Sequence, residues 1–286
     1  MAKIGIVADS SVCLPKELVE KYKIELVPEV INFGDRVYRD GVNLVPHDFY
    51  VMLGKAKELP TTSAPSPQDF VDAYRNAARG KDALVCILVT AGFSQMGLQA
   101  AQAAKKSLSQ TPIEIIDSRT AMGAYGFVVL AAARAAAEGK SLPEVVKAAE
   151  DVQQRVTLIL TLETLKYLAK GGRIGKAAHW AGTVLSIKPI LEVPVSVGAI
   201  EPLERVRSRP KALKRLLGIM RERVGGKKRV HVSVDHANVL EEAQWLKEQV
   251  SSMFDCAEVY INDWTPVAGV HCGPGVIGLS FYAGDQ

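Results

Sequence analysis

The stretch 169–180, "AKGGRIGKAAHW", has the glycines and lysine of a phosphate-binding loop. A Walker loop, G-x-x-x-x-G-K-[ST], follows a strand, cradles phosphates with backbone N–H groups and holds Mg²⁺ with the hydroxyl after its lysine. Here Gly171 and Gly175 stand one residue too close, Ala177 follows Lys176, and the preceding residues read as helix. These glycines are better placed to turn the chain out of the helical "ETLKYLAK". No G-x-G-x-x-G follows the first strand-like run, so a dinucleotide fingerprint is absent too. His231 and His236 stand five apart near a strand end, with no compact His/Cys/carboxylate cluster around them, so neither a metal nor a cofactor is expected. The constellation that could do nucleophilic chemistry is Ser94, after a strand at a helix start, with His271 in a Gly/Pro-rich loop and Asp9, Asp117 or Asp235 to orient the imidazole. It would suit a Ser/His lipid hydrolase or acyltransferase, but the G-x-S-x-G elbow is replaced by Gly92-Phe93-Ser94-Gln95-Met96. A hydroxyl and an imidazole that only hydrogen-bond a ligand would leave the same trace, as would a capping serine and a structural histidine.

These residues must be positioned by the elements around them. In the first half, β-branched runs ("KIGIVAD", "ALVCILVT", "IEIID") alternate with helical patterns ("LPKELVEKYK", "SQMGLQAAQAAKK", "AMGAYGFVVLAAARAAAEG"), the pattern of βαβ units on a parallel sheet. Each strand ends in small polar residues: Asp9-Ser10-Ser11, Thr90 to Ser94, Asp117-Ser118. Converging, these ends would make an anion pocket at the carboxyl edge of the sheet; singly, each is a helix cap. The second half changes character: "TLILTL", then "KPILEV", a turn around Val197-Gly198 and "IEPLERVRS", then "RVHVSVDHA", "AEVYIND" and "VIGLSFY", with helices between, fit a mixed sheet with helices on one side. The boundary is placed near residue 155, giving domains 1–155 and 156–286.

A chain of 286 residues, 48% hydrophobic and 23% charged, is long enough for two such cores, and a net charge of +4 does not point to nucleic acid. From Arg205 to Arg229 eleven basic residues accompany the single acid Glu222, a pattern expected of a solvated helix face with an inward apolar stripe. Cys13, Cys86, Cys256 and Cys272 form no CxxC pair, which fits reduced thiols in a cytosol, and "MAKIGIVADSS" reads as a first strand rather than a signal peptide. The longest greasy run is interrupted by Arg134 well short of the ~20 residues of a membrane span.

In this order, "DSSVCLP", "TTSAPSP", "TAGFS", "IEIIDSRTAMGAYG", "LKYLAKGGRIG", "LSIKPILEV" with "RVRSRPKAL", and "VHCGPGVIGLSFY" resemble the DegV family from residue 3 to about residue 282. The resemblance implies an N-terminal parallel α/β/α sheet domain and a C-terminal α/β domain with a mixed six-stranded sheet. It implies a lipid-binding protein rather than an enzyme, holding one long-chain fatty acid between the domains as ligand, with no other cofactor. The partner it implies is the ATP-binding subunit of a fatty acid kinase, to which the carboxylate is presented; the protein is cytoplasmic, contacts membranes at most transiently, and does not bind nucleic acid. Carried over, carboxylate binding falls to Thr62, Ser94 and His271, with Ser63 as neighbour, and Arg173, Arg205 and Arg207 fall near the rim, the last two facing the partner. Where the family usually reads Ser-Gly-Thr, this chain has Ser94-Gln95-Met96, which implies a reshaped pocket floor. About fifteen buried methylenes at ~0.8 kcal/mol each supply roughly 12 kcal/mol of transfer free energy, so the tail dominates affinity and the polar groups set orientation.

Overall fold

The computed structural model describes residues 2–108, 110–180, 187–226 and 229–284. Leu185 and Ser186 of "LSIKPILEV", and Lys227 and Lys228 of the basic run, lie outside the described residues. The first half runs β1 (Ile4–Asp9), α1 (Lys16–Tyr22), β2 (Glu25–Val27), β3 (Val30–Phe33), β4 (Arg36–Arg39), α2 (Pro46–Lys55), β5 (Thr61–Ser63), α3 (Pro67–Ala77), β6 (Ala83–Leu88), α4 (Ala91–Lys106), β7 (Ile113–Asp117), α5 (Met122–Ala137) and α6 (Leu142–Gln153). The second half runs β8 (Thr157–Thr161), α7 (Lys166–Lys170), a 3₁₀ turn (Gly175–Trp180), β9 (Lys188–Glu192), β10 (Glu201–Val206), α8 (Arg209–Val224), β11 (Val230–His236), α9 (Leu240–Met253), β12 (Cys256–Asp263), α10 (Pro266–Cys272) and β13 (Ile277–Ala283).

A four-stranded parallel sheet, order β2-β1-β6-β7, and a mixed six-stranded sheet, order β10-β9-β8-β13-β11-β12, form the framework. In the larger sheet β11 and β12 are parallel and the remaining pairs antiparallel. Between the sheets lies α5. Twelve of its 16 residues are buried, as an all-round apolar helix requires, and Gly123 and Gly126 are the points of closest approach. A Cβ on Gly123 would lie 2.5 Å from a carboxylate oxygen of Asp235, and one on Gly126 would lie 2.5 Å from the Cys13 carbonyl. The apolar core around α5 therefore draws on both sheets. A second core lies under α8 and α9 on the outer face of the mixed sheet, and a third under α3 and α4 on the outer face of the parallel sheet. Strand alternation sorts β8 between two of these cores: Leu158 and Leu160 face inward and Ile159 outward.

The basic run behaves as a helix face. Ala212, Leu213, Leu216, Leu217 and Met220 of α8 are buried, while Arg209 pairs with Glu242, Arg215 with Glu204 and Glu222, and Arg223 with Glu192. The sequence reading did not anticipate the small antiparallel sheet β4-β3-β5, which places Thr62 opposite Ile31. All four cysteines are unpaired. Among the described residues no helix is long and apolar enough to cross a membrane, and no group of His, Cys, Asp or Glu is placed to hold a metal ion.

Candidate functional site

In the parallel sheet the chain leaves β1 toward β2 on one side and returns to β6 on the other, so the topological switch lies between β1 and β6. Ligands of open α/β sheets bind outside the carboxyl ends of the strands at such a point. Here Ser11, which follows β1, and Val89 and 91–96, which follow β6, line a cavity of about 590 Å³, within the range of small-molecule sites. Its walls divide by chemistry. Leu158 and Leu160 of β8, with Leu168, Val193, Ile200 and Met122, make an aliphatic part. Glu29, Thr62, Ser94, Arg173 and His271 are the polar lining, with the exposed Gly92, Gln95, Met96 and Gly172 at the surface.

Thr62 and His271 meet directly, with Oγ1 and Nε2 2.9 Å apart. His271 sits in the last turn of α10, not in the loop expected from "GPG"; Thr265 and Pro266, an N-cap with proline at the first helical position, start that helix. Its other nitrogen, Nδ1, is buried without a hydrogen-bond partner, and a Cβ on Gly171 would lie 2.4 Å from it. The first glycine of "GGRIG" thus makes room for the imidazole, in addition to the turn that the sequence suggests. Burial, then the nearby Arg173 guanidinium, holds the His271 pKa down at about 4, so the ring is neutral near pH 7. A neutral imidazole reaches a ligand through one N–H donor, and an anion beside it would raise its pKa.

Ser94 interrupts α4 with φ −140° and ψ 68°, and its hydroxyl has no hydrogen-bond partner among the described residues. A Cβ on Gly97 would lie 2.8 Å from that oxygen, so the small residue one turn on lets the hydroxyl sit there. Arg173 donates from Nε to the Phe93 carbonyl (3.1 Å) and from a terminal nitrogen to the Gly171 carbonyl (2.7 Å), joining the start of α4 to the second half of the chain. Ser63 also lines the cavity, but accepts a hydrogen bond from Asn32 (3.1 Å), the residue two along from its strand partner Val30. Arg205 and Arg207 are exposed and outside the cavity lining; the Arg205 guanidinium lies 5.2 Å from the centre of the Trp180 ring. Gln95 and Met96 line the mouth rather than the floor, Met96 being 73% exposed.

The three polar strand ends play different parts. Asp9 accepts from Ser11 and from the Val89 N–H (2.7 Å), bridging the ends of β1 and β6. Asp117 accepts from the Ala91 N–H (3.2 Å) and the Arg119 N–H (2.8 Å), supporting the start of α4 from behind the cavity. Thr90 caps Gly92 and donates to the Gly198 carbonyl (2.7 Å). Asp235 is bound to Gly123, Ser233, Asn262 and Ser280. None of the three aspartates that the sequence offered as orienters bonds His271, whose Nε2 is taken by Thr62. No nucleophile–base–acid relay is assembled around His271 among the described residues.

Sequence reasoning missed Glu29. It lines the cavity, is only 5% exposed, and its carboxyl has no hydrogen-bond partner among the described residues. Burial pushes its pKa well above the carboxylate range, Asp9 and Asp40 add to this, and Arg173 opposes it. The signal was an acid set inside an apolar run, Val27-Pro28-Glu29-Val30-Ile31.

Residues 3–284 match the family model described as "Uncharacterised protein, DegV family". Protein DegV of Bacillus subtilis is 32% identical over 277 residues, covering 96% of this chain and 98% of that protein. A DegV domain-containing protein of Streptomyces coelicolor is 34% identical over 278 residues, covering 96% and 97%. Among solved structures, a fatty-acid-binding DegV family protein from Thermus thermophilus superposes with a TM-score of 0.91 at 29% identity, over 99% of this chain and 100% of that one. DegV of Bacillus subtilis, a fatty acid binding protein, does so with a TM-score of 0.90 at 30% identity, again over 99% and 100%.

Proposed function

This chain belongs to the DegV family, and on that premise we propose that it binds a single long-chain fatty acid in the cavity at the switch point and presents the carboxylate to a partner ATP-dependent fatty acid kinase. The observation that carries the reading is one cavity with two chemistries: an aliphatic part built on Leu158, Leu160, Leu168, Val193 and Ile200, and a polar part built on the Thr62–His271 pair, Ser94 and Arg173. The aliphatic lining supplies transfer free energy, and charge-assisted bonds to a carboxylate add roughly 1.5–3 kcal/mol each. Related proteins of the same fold bind fatty acids, which supports the ligand class. The division of labour between domains 1–155 and 156–286 follows: the first supplies Thr62, Ser63 and Ser94, the second Arg173 and His271. The protein acts in the cytoplasm as a binding and presenting subunit without a nucleophile of its own. Phosphoryl transfer depends mostly on positioning and charge stabilisation, so a held carboxylate near the surface contributes to the partner's catalysis. Arg205 and Arg207, outside the cavity, face that partner. Mass spectrometry of lipid extracted from the purified protein tests the reading: a near-stoichiometric free fatty acid is expected. An empty protein that hydrolyses lipid esters, with turnover abolished by Ser94→Ala, would replace it with the hydrolase reading.

A further inference from the structure

The register of the small sheet carries the polar end of the cavity one group further; the inference rests on the fatty-acid reading above. The Asp40 N–H donates to the Glu29 carbonyl (2.9 Å), which extends the β3–β4 ladder by one rung beyond Val30 and Arg39. Side chains alternate along a strand, so Glu29 shares the face of Ile31, and Ile31 is the partner of Thr62 on β5. The Glu29 carboxyl is therefore a diagonal neighbour of Thr62, lining the same cavity.

The charges around it decide its state. From the end of β1 it faces Asp9, which accepts from Ser11, Val89 and Tyr125; from beyond β4 it faces Asp40, which accepts from Ser10 (2.7 Å). The Ser10 hydroxyl also receives the Glu29 N–H (3.0 Å). On the other side stand Arg173 and, from α10, the neutral His271 and the buried thiol of Cys272. Arg173 is the one arginine or lysine lining the cavity among the described residues. One guanidinium cannot balance a bound carboxylate and an ionised Glu29 together, with Asp9 and Asp40 behind, in a site this dry. A neutral Glu29 removes the conflict and offers an O–H donor where no protein acceptor takes it.

We propose that Glu29 remains protonated and donates its carboxyl proton to the carboxylate of the bound fatty acid, so that retention of the acid depends on that proton. Below the Glu29 pKa of the empty protein no proton is exchanged on binding. Above it, each acid bound takes up one proton, and affinity falls about tenfold per pH unit.

The test uses the delipidated full-length protein, a saturated long-chain fatty acid and its methyl ester, titrated from pH 6 to pH 10 with the wild type and Glu29→Gln. The amide of Glu29→Gln donates without titrating, so the variant corrects for ionisation of the ligand itself. The expected result is an affinity for the acid that falls with pH more steeply in the wild type than in Glu29→Gln, whose remaining slope reports the ionisation of Asp40 at about pH 7, and ester binding that has the same profile in both. Infrared difference spectra should show a protonated-carboxyl band that shifts when acid labelled at its carboxyl carbon binds. If Glu29→Gln does not fold, these spectra of the wild type decide the matter alone. Absence of a ligand-sensitive protonated-carboxyl band overturns the inference and leaves the fatty-acid reading standing, whether or not the pH profiles run parallel. Failure of the folded wild type to bind the acid at any pH overturns both.

Discussion

The helix α5 looks onto two buried polar regions that are built alike and finished differently. Toward the six-stranded sheet, Asp235 is buried and receives four donors: Gly123 N–H (3.0 Å), Ser233 (2.6 Å), Ser280 (2.9 Å) and Asn262 (3.3 Å). Nearby, Glu258 is held at about 2, burial being outweighed by His231, Arg134 and Tyr260 together. Toward the cavity, the Glu29 carboxyl and the Ser94 hydroxyl have no protein partner among the described residues and His271 Nδ1 is buried and unpaired, as is Oδ1 of Asp40 behind the lining. Buried polar atoms in folded proteins are almost always paired, and an unpaired one costs roughly 1–3 kcal/mol. In the first region the Asp235 carboxylate is closed within its own network, while His231 Nε2 on the same strand is buried and unpaired. The second leaves polar groups without partners where a cavity begins.

The largest test of this contrast is Asp235→Ala. Removing the shared acceptor strands two hydroxyls and a backbone N–H in a buried layer and leaves the Asn262 amide only its bond to Ser233 (2.8 Å), so unfolding free energy should fall by about 3–5 kcal/mol in urea titration. A loss below about 1 kcal/mol would show that the closed network is not closed energetically. Asp40→Asn probes the open region through pH. Burial raises the Asp40 pKa from 3.8 to about 7, with Asp9 adding to it and hydrogen bonds from Ser10 and Val267 opposing. A folded-state pKa above the unfolded one stabilises the fold most below pH 4, and that contribution is lost as pH rises through about 7. Between pH 5 and pH 8 the ligand-free wild type should lose on the order of 2–3 kcal/mol more than Asp40→Asn. Equal pH slopes would mean that Asp40 is not held neutral.

Substitutions in the head-group pair should reverse the pattern. Thr62→Val and His271→Leu should weaken fatty-acid binding by about 1.5–3 kcal/mol, roughly ten- to a hundredfold, while unfolding free energy moves by less than about 1 kcal/mol. If calorimetry finds the binding unchanged and urea titration finds the fold damaged, the cavity polar groups belong with Asp235 as structure.

How far this was legible in the sequence differs between the same two regions. Three strands of the parallel sheet, β1, β6 and β7, could be read because they are apolar runs of five or six residues separated by helices, whereas β2, three residues long, could not. β11 was legible as a strand but not in its packing. His231, Ser233 and Asp235 alternate with Val230, Val232 and Val234, which reads as one face in water, yet every residue is buried because α5 crosses the polar face. The sheet β4-β3-β5 left almost no trace, its strands being three or four residues long and only partly buried. Ser94 and His271 were visible as residues that could do chemistry, but their grouping with Thr62 and Arg173 came from the resemblance, since nothing in spacing joins positions 62 and 271, whereas Glu29 was visible only as an acid out of place.

The smallest expected effect belongs to a group in neither region. Arg205 is exposed, lies outside the cavity lining, and rests its guanidinium over the Trp180 ring at 5.2 Å. An exposed contact of this kind is worth about 0.5–1 kcal/mol, so Arg205→Ala should leave unfolding free energy within that margin and fatty-acid affinity unchanged. If Arg205 faces a kinase, the variant should nevertheless lose phosphorylation of the bound acid when mixed with an ATP-dependent fatty acid kinase, because a surface charge acts on a partner's docking rather than on the cavity. Arg173→Met separates the two sites: its guanidinium lines the cavity, so affinity for the acid should fall before any partner is added. Loss of acid affinity in Arg205→Ala would place that residue inside the head-group site, and full phosphorylation in Arg205→Ala would remove it from the partner face.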